Sequence, residues 1–322
     1  MAAPASIGEV KRANVRYHDL ASDEYDAKWG IAYGERGREQ VVSKLARALG
    51  YTPPRFGRTL EIGAGTGYFT LNLLGAGVVE KATATDISPG MLLALEDSAA
   101  DLGLDVETVC AEASELPFSD GSFDLVFGHA VLHHLPDLER AFAEFVRVLR
   151  PGGTLAFCGE PSRHGDRLAS VPKRAALLAA PLWRRVLGAA PRGEGDGEDG
   201  AETAEGASNG RAPAASAALA EAQMLEGVVD VHAFAPPELE RHARTAGLEA
   251  VRVSGEELAA SLFGWANRTL EATAEPSDLP RGWFNFALHG YLILQRIDRA
   301  LLEPRLPAAA FYNLLLSARK PA

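Results

Sequence analysis

Residues Thr59 to Phe69, T-L-E-I-G-A-G-T-G-Y-F, leave the backbone few choices. A short apolar run carrying one acid, Glu61, meets glycines at alternate positions, Gly63, Gly65 and Gly67, and a helical pattern follows. That order predicts a strand, a tight turn and a helix start. Alternate glycines permit positive φ and remove the Cβ atoms that would hold a ligand off the main chain. The spacing is G-x-G-x-G, not the G-x-G-x-x-G of dinucleotide-binding turns. The charge of Glu61 disfavours a pyrophosphate beside the turn and favours a guest carrying positive charge.

Lys81 to Asp86 reads as a second strand ending in an acid, nineteen residues beyond Gly67. A carboxylate there can accept both hydroxyls of a ribose. Ile87 to Leu92 then turns into a helix. With these pieces the chain resembles the class I S-adenosylmethionine-dependent methyltransferases, in the small-molecule branch that includes quinone-methylating enzymes. The matching pieces are E-I-G-A-G-T-G (61–67), T-D-I-S-P-G-M-L (85–92), A-E-A-S-E-L-P-F (111–118), S-F-D-L-V (122–126), L-H-H-L (132–135) and R-V-L-R-P-G-G (147–153). The likeness is specific from about Arg58 to Glu160. S-adenosylmethionine, with its sulfonium and ammonium groups, suits the charge at Glu61 and is the cofactor that the resemblance implies.

Strand patterns near 58–62, 81–85, 104–109, 123–128 and 153–159 alternate with helical ones near 67–75, 89–102 and 137–150. This alternation predicts an α/β, doubly wound, mostly parallel sheet with helices on both faces. Ligands in such sheets bind at the carboxyl ends of the strands, where every motif falls. The resemblance implies seven strands, the last antiparallel, and a helical cap built from insertions. The expected organisation is an N-terminal arm (1–57), a cofactor-binding core (58–160), a cap insertion (161–234), core completion (235–256), a second cap insertion (257–308) and the last strand (309–322).

Candidate cofactor contacts are Glu61, Gly63, Ala64, Gly65, Gly67, Asp86, Ile87 and Met91, joined by two after the third strand. There Glu112 stands where the family has Asp for the adenine amine, and Ala113 supplies a backbone donor. The family also closes a segment like Ala21 to Asp26 over the cofactor, which makes Tyr25 a lid residue. His129, leaving the fourth strand, is expected near the methionine end. Methyl transfer is an in-line displacement needing a base only if the acceptor must first lose a proton. His129, His133 and Glu160 are the candidates, Glu160 because a carboxylate leaving the fifth strand should point at the cleft. His134 has a structural reading at the next helix start. Three histidines in six residues have no Cys or carboxylate at matching spacing, so no metal is expected.

A net charge of −11 argues against a nucleic-acid partner, because phosphate contacts need a basic face. The two cysteines, Cys110 and Cys158, give no disulfide framework and fall in predicted buried strands. Without an apolar run of membrane-spanning length or a signal-peptide pattern, the chain reads as cytoplasmic. Residues 163–192 form a basic amphipathic stretch interrupted by Pro172 and Pro181, a candidate for peripheral membrane or lipid contact. The acidic segment 190–213, rich in Gly, Ala and Ser, has nothing apolar to bury and is expected to be a disordered loop. The apolar content of the insertions favours a small hydrophobic acceptor, such as a quinone, phenol or lipid-like metabolite. Two rivals are a non-catalytic S-adenosylmethionine-binding sensor or scaffold, and a nicotinamide-dependent oxidoreductase.

Overall fold

The computed structural model describes residues 6–21, 31–192, 229 and 231–322. Tyr25 and most of the acidic segment lie outside the described residues.

The sheet has seven strands: β1 (Phe56–Ile62), β2 (Val79–Asp86), β3 (Glu107–Cys110), β4 (Phe123–His129), β5 (Leu149–Pro161), β6 (Glu249–Glu256) and β7 (Asn313–Arg319). Their order is β3-β2-β1-β4-β5-β7-β6. β1 pairs in parallel with β2 and β4, and the outer pairs β2–β3 and β4–β5 are parallel too. Lys320 N–H bonds Gly153 C=O at 2.9 Å at one end of β5, and Ser162 N–H bonds Tyr312 C=O at 2.8 Å at the other. The late residue meets the early one at each end, so β7 runs antiparallel to β5.

The α-helices are α1 (Ile7–Ala21), α2 (Glu35–Leu49), α3 (Tyr68–Gly75), α4 (Pro89–Leu102), α5 (Leu138–Val148), α6 (Arg163–Leu187), α7 (Pro236–Thr245), α8 (Ala259–Glu271) and α9 (Arg281–Ile297). α5 shows why the sequence chooses helix here. Leu138, Ala141, Phe142, Phe145 and Val148 are all buried at three- and four-residue steps, and Asp137 caps the start by accepting the Arg140 N–H. α4 begins with Ser88 accepting the Met91 N–H and Pro89 in its first turn, and ends at Gly103 in the left-handed region. The central strands are covered on both faces: Leu125 and Phe127 are buried on one, packed with Val41 and Leu45 of α2, and Leu60 and Val126 are buried on the other.

The residues fall into two compact units, one holding α1 through β5, α7, most of β6 and β7, and the other α6, α8 and α9. In the second unit α6 runs unbroken through Pro172 and Pro181, where the sequence suggests interruption. Packing along α8 supplies what the lost backbone bonds do not, including Lys173 Nζ lying 3.9 Å from the centre of the Trp265 ring. Asp298, fully buried, accepts the N–H groups of Ala259 and Ala260 at the start of α8, both at 2.9 Å.

Cys110 departs from expectation. Cys158 is buried in β5, but Cys110 is exposed, because β3 is the edge strand.

Candidate functional site

The turn after β1 is held from two sides. A Cβ on Gly63, at φ +62°, would stand 2.3 Å from Val131 Cγ2, so the residue is glycine by packing as well as by dihedral. Gly65, at φ +53°, has no atom of the described residues within 4 Å of that position, and its backbone is open to a ligand. Its N–H donates to Asp86 Oδ2 at 2.9 Å, while Asp86 Oδ1 accepts the Ser88 N–H at 2.9 Å. The acid ending β2 thus braces both the glycine turn and the start of α4. Ala64 is buried and its N–H bonds Thr85 C=O, and Gly67 stands at the N-cap of α3.

A cleft opens at the carboxyl ends of β1, β2 and β4 and beyond β3, with about 840 Å³ of empty space including its mouth. Of the residues singled out from sequence, Gly63, Gly65, Asp86, Ile87, Glu112, Ala113 and His129 line it. Met91 does not: it is fully buried in α4. Glu61 also turns away from the cleft and accepts the Thr70 N–H at 3.0 Å, giving the third residue of α3 the cap that its glycine N-cap lacks. Burial pushes the Glu61 carboxyl up to about 8, with the charge of Asp86 adding to the effect.

That shift has a sign. Between pH 4.5 and 8 the folded chain keeps a proton on Glu61 that the unfolded chain releases, so folding loses stability as pH rises through this window. Glu61→Gln, which cannot ionise, is expected to gain in melting temperature over the wild type progressively across the same range. Its advantage should grow by up to about 1.4 kcal/mol per pH unit. A difference that stays flat with pH would show an ionised Glu61 in the fold.

The loop after β3 is pinned by Arg147 of α5. Its guanidinium donates to the carbonyls of Leu116 and Phe118 at 2.9 and 2.6 Å and pairs with Glu144 and Asp120, both at 2.8 Å. This links two of the sequence motifs physically. Glu112, at the head of the loop, pairs with Lys11 of α1 and accepts the Ser114 hydroxyl. Partial burial pushes its carboxyl up, but the bonds from Lys11 and Ser114 outweigh that and hold it below the usual carboxylate range.

Glu160 is the largest correction. It is fully buried and does not face the cleft. Oε1 accepts the N–H groups of Val131 and Leu132, both at 3.0 Å, and Oε2 accepts the His133 N–H at 3.2 Å. His133 Nδ1 lies 2.9 Å from Oε2. Three backbone donors at the start of the short 3₁₀ turn Leu132–His134 have no strand or helix partner, and a carboxylate beneath them satisfies all three. His133 is buried against the same carboxylate, so neither of these two base candidates lines the cleft.

His129 and His134 do line it. His129 stacks on Phe69 with ring centres 4.7 Å apart, and Lys44 Nζ lies 3.5 Å from its Nε2. An ammonium can only donate, so the Nε2 lone pair is engaged. His134 Nδ1 lies 3.0 Å from Val229 C=O, which can only accept, so in the neutral ring the basic nitrogen is Nε2. Burial holds His134 well below the ordinary imidazole value, with His133 and His18 adding to the effect.

Sequence reasoning missed the contribution of α1. Lys11, Asn14 and His18, at three- and four-residue steps, bring one helix face to the cleft. Asp19 ties the helix down by accepting the Ser88 hydroxyl and the Gly90 N–H. Asn14 is 5% exposed, and its Nδ2 donates to two carbonyls, those of Val10 at 3.1 Å and His134 at 3.5 Å. Its Oδ1 is therefore an acceptor, buried and without a partner among the described residues. The only signal in the sequence was that spacing, which any packed helix shares.

The family described as "Methyltransferase domain" matches residues 60–157. The malonyl-[acyl-carrier protein] O-methyltransferase of Methylococcus capsulatus is 34% identical over 149 residues, covering 42% of this chain and 53% of the relative. The demethylmenaquinone methyltransferase of Mycolicibacterium vanbaalenii is 34% identical over 134 residues, covering 42% of this chain and 55% of the relative. The chain thus spans about half the length of these curated relatives. Among solved structures, the [4+2]-cyclase SpnF aligns over 100% of both chains with a TM-score of 0.56 at 18% identity, a likeness of fold. The matched segment runs from within β1 to within β5 and carries the glycine turn and Asp86, so over residues 60–157 the chain is similar to a methyltransferase domain.

Proposed function

We propose that the protein transfers the methyl group of S-adenosylmethionine to a small hydrophobic acceptor of the quinone, phenol or lipid-like kind. The observation that carries this reading is the Asp86 carboxylate, fixed on the cleft floor by the Gly65 and Ser88 N–H groups with lone pairs to spare for a ribose diol. The open backbone at Gly65 and the orphaned Asn14 Oδ1 fit the same guest, one admitting close approach and the other accepting an N–H.

The cofactor supplies an electrophilic methyl group on a sulfonium. The chain's part is to bind, align and dry the site. Asp86 orients the ribose, Glu112 and the Ala113 N–H meet the adenine edge, and α1 closes over the cleft. Ile62, Ala111, Val131, Leu135, Pro136 and Ala141 give the wall an apolar character suited to a hydrophobic acceptor. The relative named for demethylmenaquinone supports the quinone class. Where the acceptor must lose a proton, His134 is the base, being neutral at pH 7 with its proton held on Nδ1.

Incubation with S-adenosylmethionine and a panel of hydrophobic phenols and quinones is expected to release S-adenosylhomocysteine. His134→Gln should lower kcat about a hundredfold or more while leaving cofactor Kd unchanged. The cyclase with the same fold motivates a second reading, a cofactor-binding protein that transfers no methyl group. Cofactor binding without S-adenosylhomocysteine release across the panel would favour it, and binding of NADH alone would overturn both.

A further inference from the structure

α6 is built inside out. A helix on a folded unit ordinarily turns its large apolar residues inward and its polar ones to water. In α6 the buried positions are small, Ala169, Ala176 and Ala180, while Leu168, Val171, Leu178, Leu182 and Val186 are exposed. The exposure is extreme at Leu178, 85%, and Val186, 75%. These five residues, with Ala175 between them, recur at three- and four-residue steps and form one stripe about 27 Å long at helical rise. Arg167, Arg174 and Arg185, all exposed, lie along one flank of that stripe at steps of seven and eleven residues. The helix carries six basic residues and one acid, Asp166, in a chain of net charge −11. Among the described residues no helix is long and apolar enough to cross a membrane.

A surface that is apolar along its centre and cationic along its edge needs a partner that is apolar and anionic at once. The acidic segment 193–213 offers the charge but no large apolar residue. We propose that the exposed face of α6 docks on an anionic lipid bilayer, the leucines and valines entering the acyl boundary and the arginine row meeting the headgroups. This inference is independent of the methyl-transfer reading, whose assay uses no lipid surface.

The test is co-sedimentation of the full chain with vesicles of phosphatidylcholine alone and of phosphatidylcholine mixed with phosphatidylglycerol. The chain is expected to pellet with the mixed vesicles and to be released by high salt. Arg167→Gln/Arg174→Gln/Arg185→Gln should weaken binding about a hundredfold, and Leu178→Glu/Leu182→Glu about tenfold or more. Melting temperatures should hold in both variants, since every substituted side chain is exposed. No pelleting with the mixed vesicles, or pelleting that ignores both variants, would overturn the proposal. So would a lipid-free sedimentation mass that halves in Leu178→Glu/Leu182→Glu, which would put a second copy of the chain on the stripe.

Discussion

Glu160→Ala is expected to destabilise the fold by about 3–5 kcal/mol, the scale for removing one side of a buried charged network. The carboxylate satisfies three backbone N–H groups and faces His133 Nδ1, and alanine would leave all of them buried without an acceptor. Equilibrium urea unfolding, read as a shift in midpoint at constant slope, measures the loss. Glu160→Gln should fall between, because its amide NH₂ meets donors where the wild type offers a second acceptor. The experiment also separates two roles. An anchor beneath the turn costs stability, whereas a catalytic base would cost turnover at unchanged stability.

Asp86→Ala is expected to weaken S-adenosylmethionine and S-adenosylhomocysteine binding by roughly two to four orders of magnitude. Two charge-assisted hydrogen bonds to a ribose, at about 1.5–3 kcal/mol each, set that scale. The substitution also removes the acceptor for the Gly65 and Ser88 N–H groups, so the glycine turn loses its brace. Calorimetric titration of both ligands checks the expectation. Equal affinities in wild type and variant would take Asp86 out of the site, and with it the observation on which the proposed activity rests.

These two acids show where sequence stops being informative. The place of Asp86 on the cleft was legible because it is set locally: the residue ends a strand beside a glycine turn, and the turn chemistry is written in neighbouring residues. Glu160 was not, since the direction of its side chain is decided by three N–H groups some thirty residues earlier, brought beneath it only by the pairing of β4 with β5. Cys110 follows the same logic, for its exposure depends on β3 standing at the sheet edge. The strand–helix alternation read well because burial on both sheet faces demands apolar runs at strand length. The cleft face of α1 read poorly because Lys11, Asn14 and His18 carry the spacing of any amphipathic helix. α6 kept its two prolines in a continuous helix, an outcome that contacts with α8 decide and local propensity does not.

The place of β7 has a consequence for how the chain is made. It is the last strand in sequence yet lies inside the sheet, between β5 and β6. During synthesis β6 therefore emerges with no strand to join, and β5 waits with one open edge for more than 150 residues of translation. The first five strands can assemble among themselves as they appear, but closure of the sheet is a late, long-range event of the kind that slows folding. An unpaired β5 edge over that interval is a natural target for a chaperone, or for another nascent chain.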